Sequence, residues 1–265
     1  MNRSTRALVF IVLSVGALWG CTTQTPNPDT RERVTESDQT EADRRARVRM
    51  ELASGYYARG QFETALDEVK LALAVKPDLP EAYNLRGLIY QSLGDERLAE
   101  DNFKRALQLN PRDPDTMHNY GWFLCQSRRM PEAFAQLQQA IATPRYAGAP
   151  RSLMALGVCQ ARTGAYAEAE RNLTRSYELD ASSPVTAFNL ADVLYRRGDF
   201  ERARFYIGRV NAVPEYSNAQ TLWLAARIEN KMGNVRGARD YGRQLRARFP
   251  QSAESLAFER GRYDD

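Results

Sequence analysis

Three cysteines and a single histidine carry the most distinctive side-chain chemistry in this sequence of 265 residues. One histidine excludes any metal site with two or more histidine ligands, and three cysteines are too few for a four-cysteine zinc site or a disulfide-rich scaffold. His118 and Cys125 share a predicted helix face, but they supply only two ligands. No motif fixes a serine or cysteine nucleophile beside His118. The sequence therefore predicts no catalytic residues, no cofactor and no metal site.

Cys21 ends a segment with the pattern of a bacterial export signal. After a cationic start, Ala7–Trp19 form a largely apolar run of 13 residues, too short for a bilayer span of about 20 residues. The run Leu18-Trp19-Gly20-Cys21 resembles a lipobox, although Trp19 departs from the small residue usual at its position. This resemblance predicts a signal peptide over residues 1–20 and acylation of Cys21. Ordinary signal cleavage with a free Cys21 is the alternative.

The residues after Cys21 predict where the chain is held. Thr22 stands where the resembled lipoprotein class would carry the Asp that retains it at the inner membrane. The resemblance therefore implies a lipid-anchored protein on the periplasmic face of the outer membrane. Residues 21–45 are rich in polar and charged side chains, with Val34 the only large aliphatic one. Because such a segment buries too little apolar surface to offset its ordering entropy, we predict a flexible tether.

The charge of the chain gives little support to a nucleic-acid partner. The formal net charge is +4 and the sequence pI is about 9.0. Arginine is mixed with aspartate and glutamate along the chain, so no block of like charge forms a stripe for phosphates. We predict no binding of nucleic acid and no small-molecule substrate.

From residue 46 onward the sequence repeats with a period near 34 residues. The predicted units are 46–79, 80–113, 114–149, 150–183, 184–218 and 219–252. Position 8 of each unit is small: Ala53, Gly87, Gly121, Gly157, Ala191 and Ala226. Position 20 is alanine in every unit: Ala65, Ala99, Ala133, Ala169, Ala203 and Ala238. Five units carry a turn glycine at position 15: Gly60, Gly94, Gly164, Gly198 and Gly233.

This pattern resembles the tetratricopeptide repeat. The resemblance implies an all-α fold, a right-handed superhelical solenoid of six helix-turn-helix repeats over residues 46–252. An irregular helical bundle is the alternative. Units three and five exceed the period, which predicts insertions at Thr143–Ala149 and Val213–Asn218. Residues 253–265 are predicted to add a short segment that caps the last repeat.

A repeat of this kind favours binding over catalysis, because the first helices of stacked pairs line a concave groove. Side chains at a few positions of each first helix are predicted to face it, forming an apolar and aromatic surface suited to a peptide or helix. Packing between repeats is the alternative role for each. The predicted groove residues are Met50, Tyr57, Asn84, His118, Asn119, Trp122, Met154, Phe188, Asn189, Tyr195 and Trp223.

Two short runs point to a particular family. Unit three contains His118-Asn119-Tyr120-Gly121-Trp122-Phe123-Leu124-Cys125, and unit five contains Phe188-Asn189-Leu190-Ala191. With the lipobox and six repeats, these runs resemble the PilF/PilW family of type IV pilus biogenesis and stability proteins. The resemblance implies an outer-membrane lipoprotein without enzymatic activity, a pilotin-like scaffold. Its implied partner is the secretin, whose localisation and assembly it assists, or another pilus component.

Of two other functions, the sequence leaves the first open and disfavours the second. A lipoprotein docking factor for another envelope machine, such as outer-membrane protein assembly or peptidoglycan synthesis, would show the same anchor and repeats. A cytosolic chaperone-binding repeat would need lysine and asparagine at set groove positions. Lysine occurs only at positions 70, 76, 104 and 231, which argues against that class.

Cys125 and Cys159 lie on the first helices of consecutive units and are predicted to be neighbours. A disulfide requires Cα atoms within about 7 Å, closer than the usual spacing of packed helices, 8–10 Å. The oxidising periplasm favours a bridge. Two buried free thiols that act as small hydrophobes are the alternative.

Overall fold

The structure is a computed structural model and describes residues 40–263. Over that range the regular elements are α-helices, and no strand is present. The helices are α1 (Glu41–Ala58), α2 (Phe62–Val75), α3 (Pro80–Leu93), α4 (Glu96–Leu109), α5 (Pro114–Gln126), α6 (Met130–Ala142), α7 (Ala149–Arg162), α8 (Tyr166–Leu179), α9 (Pro184–Arg196), α10 (Phe200–Asn211), α11 (Ala219–Lys231), α12 (Val235–Arg248) and α13 (Ala253–Glu259).

The first twelve helices form six consecutive pairs. Each odd-numbered helix packs most extensively against the even-numbered helix that follows it, and each pair then contacts the next along the chain. Contacts between elements distant in sequence are absent from this part of the chain, apart from those between neighbouring units. This nearest-neighbour pattern is that of a repeat solenoid. The prediction of an all-α repeat solenoid is confirmed.

Glycine at position 8 makes room for a large side chain of the paired helix. A Cβ on Gly87 would lie 2.7 Å from the Phe103 ring, and a Cβ on Gly121 would lie 2.8 Å from Leu137. Both Phe103 and Leu137 are fully buried. Gly157 has the same relation to Leu173, 2.7 Å from its built Cβ. Close packing of this kind is felt at the level of single methyl groups, which explains the small residue found in every unit.

The turn inside each pair needs a residue with positive φ. The five predicted turn glycines all have φ between 73° and 83°, a region that glycine enters without the clash of a Cβ. Unit three has Arg128 at the corresponding position, and it adopts φ 60°. A residue with a side chain is strained in this region. Unit three therefore forms the same turn with a backbone strain that the five units with glycine do not have.

Helix α1 begins earlier than the sequence predicts. The tether predicted for residues 21–45 overlaps the first turns of α1, which starts at Glu41. Thr40 and Asp43 form a capping box, in which each side chain accepts a hydrogen bond from the other's backbone N–H. Asp43 also pairs with Lys76 of the α2 C-cap, Oδ1 to Nζ 2.7 Å. The predicted signal peptide and Cys21 lie outside the described residues.

Helix α13 covers the open end of the last pair, where it contacts α11 and α12. Its Phe258 sits directly over Gly242 of α12, so that a Cβ on Gly242 would lie only 1.9 Å from the ring. Gly242 is buried although it bears no side chain. The final helix therefore fits into a gap in α12, as a terminal cap on a solenoid does.

Candidate functional site

The odd-numbered helices form the inner side of the solenoid. The backbone of each first helix closely approaches that of the first helix of the next unit, and within residues 40–263 the backbones of consecutive even-numbered helices do not. The even-numbered helices α8 and α10 meet through side chains instead, as in the Arg202–Glu170 ion pair. Helices on the inside of a curved stack approach one another more closely, so the curve closes toward α1, α3, α5, α7, α9 and α11. We call this surface the first-helix face. The predicted groove residues all lie on these six helices.

Nine of the eleven predicted groove residues are half-buried on these helices: Met50, Tyr57, Asn84, Asn119, Trp122, Met154, Phe188, Asn189 and Trp223. His118 and Tyr195 are buried, at 7% and 9% exposure. The assignment of these two side chains to an open groove is therefore corrected. Helical spacing identified the correct side of each helix, but it did not reveal that other parts of the chain cover both positions.

Polar side chains link successive first helices across the face. Asn119 Nδ2 donates to Asn84 Oδ1 at 3.1 Å, which joins α5 to α3. Near the other end of the same helices, Gln91 Nε2 donates to Gln126 Oε1 at 2.6 Å. Asn84 and Asn119 thus satisfy part of each other's hydrogen-bonding capacity, and both keep further capacity, since an amide side chain has two donors and an acceptor with two lone pairs.

His118 serves to join α5 to α7. Its Nδ1 lies 3.0 Å from Ser152 Oγ, and both side chains are buried. Burial lowers the His118 pKa from its usual 6.5 to about 4, and the nearby Arg151 lowers it further, while Asp115 acts in the opposite direction. The imidazole is therefore neutral near pH 7. This environment suits an inter-helix contact and not an exposed proton donor or acceptor.

Cys125 and Cys159 form a disulfide in the structure, with their Cα atoms 5.9 Å apart. Both residues are fully buried, and the bond ties α5 to α7 on the inner side of the solenoid. Cys125 Sγ also accepts from Arg162 Nη1 at 3.8 Å. The oxidation state in the cell stays a prediction.

Trp122 presents a charged and aromatic contact on the first-helix face. Its ring packs against the core around Phe103, Leu124 and the disulfide. The Arg162 guanidinium lies above that ring, 5.4 Å from Cζ to the centroid, a cation–π distance. Arg162 is exposed. The sequence did not single it out, because an arginine at the end of a helix has no distinguishing spacing until its neighbour is known.

Phe188 and Asn189 line a cavity of about 460 Å³ between α9 and the segment that leads into α11. Its walls include Pro184, Val185, Val210 and Tyr216. Tyr216 belongs to the insertion predicted for unit five, so this insertion builds one wall. Phe188 rests on the core of units four to six, and Asn189 Nδ2 donates to the Val185 carbonyl at 2.8 Å. The polar lining of the cavity also includes Glu215, Asn218, Gln220 and Thr221, so it is a recess of mixed apolar and polar character. Binding sites commonly combine apolar walls with a few polar groups.

Trp223 is predicted to be open but is covered by the end of the chain. The Tyr263 ring stacks on the Trp223 ring, with centroids 5.3 Å apart and planes at 28°. The Tyr263 carbonyl accepts from Arg227 Nε at 2.9 Å and from the Tyr195 hydroxyl at 3.5 Å. Sequence analysis missed Tyr263, since nothing in the order of residues shows that the chain returns to α9 and α11 after its last helix.

The described residues offer no metal centre and no membrane span. Across residues 40–263, no three side chains from histidine, cysteine, aspartate and glutamate are grouped so as to hold a metal ion. In the same range, no helix is both long and apolar enough to cross a bilayer.

Models of the tetratricopeptide repeat match the chain over residues 80–113 and over residues 126–184 and 188–253, and a further TPR repeat model matches residues 54–94. The type IV pilus assembly protein PilF of Pseudomonas aeruginosa is 29% identical over 254 residues, which cover 96% of this chain and 98% of PilF.

Two solved structures share both the fold of this chain and at least 26% sequence identity with it. The crystal structure of PilW, a widely conserved type IV pilus biogenesis factor, has a TM-score of 0.75 and 30% identity, covering 80% of this chain and 97% of PilW. The structure of Pseudomonas aeruginosa PilF has a TM-score of 0.75 and 26% identity, covering 84% of this chain and all of the PilF chain. Because it has six helix pairs, matches tetratricopeptide repeat models and aligns with PilF and PilW over nearly their whole length, this chain belongs to the PilF/PilW family of tetratricopeptide repeat proteins.

Proposed function

We propose that this chain is a binding scaffold, without catalytic activity, for type IV pilus biogenesis. Its relatives are a pilus assembly protein and a pilus biogenesis factor, and they align with it over nearly their whole length. The observation that carries the proposal is the first-helix face, where the Trp122 and Phe188 side chains are half-buried and Phe188 lines a recess. Large aromatic side chains in such positions are typical binding hot spots.

The proposed partner is the secretin of the pilus machine. In this role the chain acts like a pilotin, which helps the secretin to reach the outer membrane and assemble there. The face suits one extended or helical protein segment, because half-buried aromatic rings lie on it together with amide groups from Asn84, Asn119 and Asn189. Docking to another envelope machine is the second candidate, supported only by the same surface and the same predicted anchor.

The first test replaces the two aromatic anchors together. We expect Trp122→Ala with Phe188→Ala to weaken binding of the secretin at least thirtyfold. Truncating one anchor at a hot spot typically costs about 2 kcal/mol, and each 1.4 kcal/mol is tenfold in affinity. Titration of the purified secretin domain by calorimetry measures the loss, and secretin assembly in cells measures its consequence.

Phe205→Ala is the matched control, because Phe205 is an aromatic side chain, 57% exposed, on the even-numbered helix α10. It should bind the secretin with wild-type affinity. If the Trp122→Ala, Phe188→Ala double variant binds the secretin with unchanged affinity, the secretin does not bind at this face. If the wild-type chain instead captures a cell-wall synthase or an outer-membrane assembly factor, the second candidate replaces the first.

We further propose that Cys21 is acylated and holds the chain at the periplasmic face of the outer membrane. A multiply acylated cysteine anchors stably, since each buried methylene contributes about 0.8 kcal/mol. Cys21→Ala should release the protein into the periplasmic fraction, as membrane fractionation with immunoblotting will show. If the variant stays in the outer-membrane fraction at the wild-type level, another feature provides the anchor.

A further inference from the structure

The last described residues turn back onto the first-helix face. Helix α13 ends at Glu259, and Gly261 follows with φ 65°. The Gly261 N–H donates to the Phe258 carbonyl and the Arg262 N–H donates to the Ala257 carbonyl, both at 3.0 Å. A glycine with positive φ just after a helix reverses the direction of the chain. This reversal carries Tyr263 to α9 and α11.

Tyr263 is held in the way that a binding site holds a ligand, through two of its groups, the aromatic ring and the backbone carbonyl. Its ring lies between Trp223, stacked at 5.3 Å, and Phe258, edge-on at 6.1 Å. Its carbonyl accepts a hydrogen bond from Arg227 at 2.9 Å. The site therefore holds one aromatic ring and one backbone acceptor.

The groups that receive Tyr263 are preorganised by one another. The Arg227 guanidinium lies over the Tyr195 ring, with Cζ 4.7 Å from the centroid. The Tyr195 ring also packs against Phe200, with centroids 5.6 Å apart. We call Tyr195, Trp223 and Arg227 the aromatic clamp. Its members lie on α9 and α11, and the contacts among Arg227, Tyr195 and Phe200 hold two of the three in place without Tyr263.

Nothing in the contacts is particular to the end of this chain. The hydrogen bonds to Tyr263 reach its backbone carbonyl, and the stacking contacts reach its ring. Any extended segment with a tyrosine or phenylalanine offers the same two groups.

We propose that the aromatic clamp is a binding site for an extended peptide segment with a tyrosine or phenylalanine, and that Tyr263 fills it until a partner segment displaces it. This inference deepens the proposed function, since it gives the chemistry of one segment of the partner. Because the tail is tethered, it competes as an intramolecular ligand at high effective concentration and lowers the apparent affinity of the clamp. Removing the Tyr263 ring should therefore open the site.

The test uses the full chain and a defined probe. The probe is a dye-labelled peptide with the sequence of residues 260–265, Arg-Gly-Arg-Tyr-Asp-Asp. We expect the Tyr263→Ala chain to bind this peptide at least tenfold more tightly than the wild-type chain, as measured by fluorescence polarisation. Peptides with phenylalanine in place of tyrosine should bind equally well, and those with alanine should not bind.

Two variants in the Tyr263→Ala background locate the site. Arg227→Gln, which removes the positive charge and the Nε donor that reaches the carbonyl, should weaken peptide binding at least tenfold. Trp223→Leu should do the same by removing the stacking partner. Phe205→Ala in this background is the control and should not alter binding. Thermal unfolding of every variant shows whether the fold is retained, and Arg227→Gln keeps the inference testable if Trp223→Leu fails to fold.

The outcomes separate this inference from the proposed function. No peptide binding to the Tyr263→Ala chain up to 1 mM probe, or equal binding by the wild-type and variant chains, would overturn the clamp. The assay contains no pilus component, so peptide binding can succeed while the secretin titration fails. In that case the clamp stands and the secretin assignment falls.

Discussion

Opening the Cys125–Cys159 disulfide is expected to lower the free energy of unfolding by about 3–4 kcal/mol. The bond closes a loop of 34 residues, and the chain-entropy model assigns a stabilisation of this size to such a loop. The effect should be local in the solenoid, because each unit contacts only its neighbours. Units three and four should therefore become the least stable part of the reduced protein.

Urea unfolding of the same protein with and without a reducing agent measures this difference without a change of side chain. The Cys125→Ala, Cys159→Ala double variant is the control, and reductant should leave its stability unchanged. The oxidation state itself is read by alkylating denatured, unreduced protein. Two labelled cysteines besides Cys21 would mean that the bridge does not form and that the pair acts as buried hydrophobes.

The repeat architecture could be predicted because packing imposes a residue type at a fixed position. Positions 87 and 121 are glycine because the paired helix brings Phe103 and Leu137 so close that no room is left for a Cβ atom. A requirement of this kind recurs in every unit, so it appears in the sequence as a period. The first predicted repeat unit begins at residue 46, although α1 begins at Glu41, because nothing periodic marks that helix start. Its signal is a single capping box, which no repeat reinforces.

The binding face could be predicted only in part. Spacing along a helix shows which side faces inward, and it placed Trp122 and Phe188 on the first-helix face. Spacing does not show what lies above that side. Tyr195 and Trp223 are covered by Tyr263, which follows a glycine turn beyond the last repeat. Contacts made by a non-repeated segment leave no periodic signal, and only the structure reveals them.

Stability should fall by about 3 kcal/mol as the pH drops from 6.5 toward 4, because of His118. Its pKa in the folded chain is about 4, below the usual 6.5, chiefly because the ring is buried. Between these values the unfolded chain binds a proton that the folded chain does not. Unfolding is therefore favoured as the pH falls through this window, and the contribution is complete only above pH 6.5. One pKa unit corresponds to about 1.4 kcal/mol, which gives the expected total.

The His118→Gln variant isolates this contribution, because glutamine can still bond to Ser152 but does not titrate. Its free energy of unfolding, measured in urea at several pH values, should stay nearly level between pH 6.5 and 5. Glu100 is the matched comparison. Its interactions with Lys104, Arg129 and Tyr120 hold its pKa near 2 against the cost of burial, so its contribution is lost only below the usual glutamate range. Glu100→Gln should therefore keep the wild-type slope above pH 5. If wild type and His118→Gln lose stability in parallel across that interval, the imidazole is not the titrating group, and protonation elsewhere in the solenoid governs its acid sensitivity.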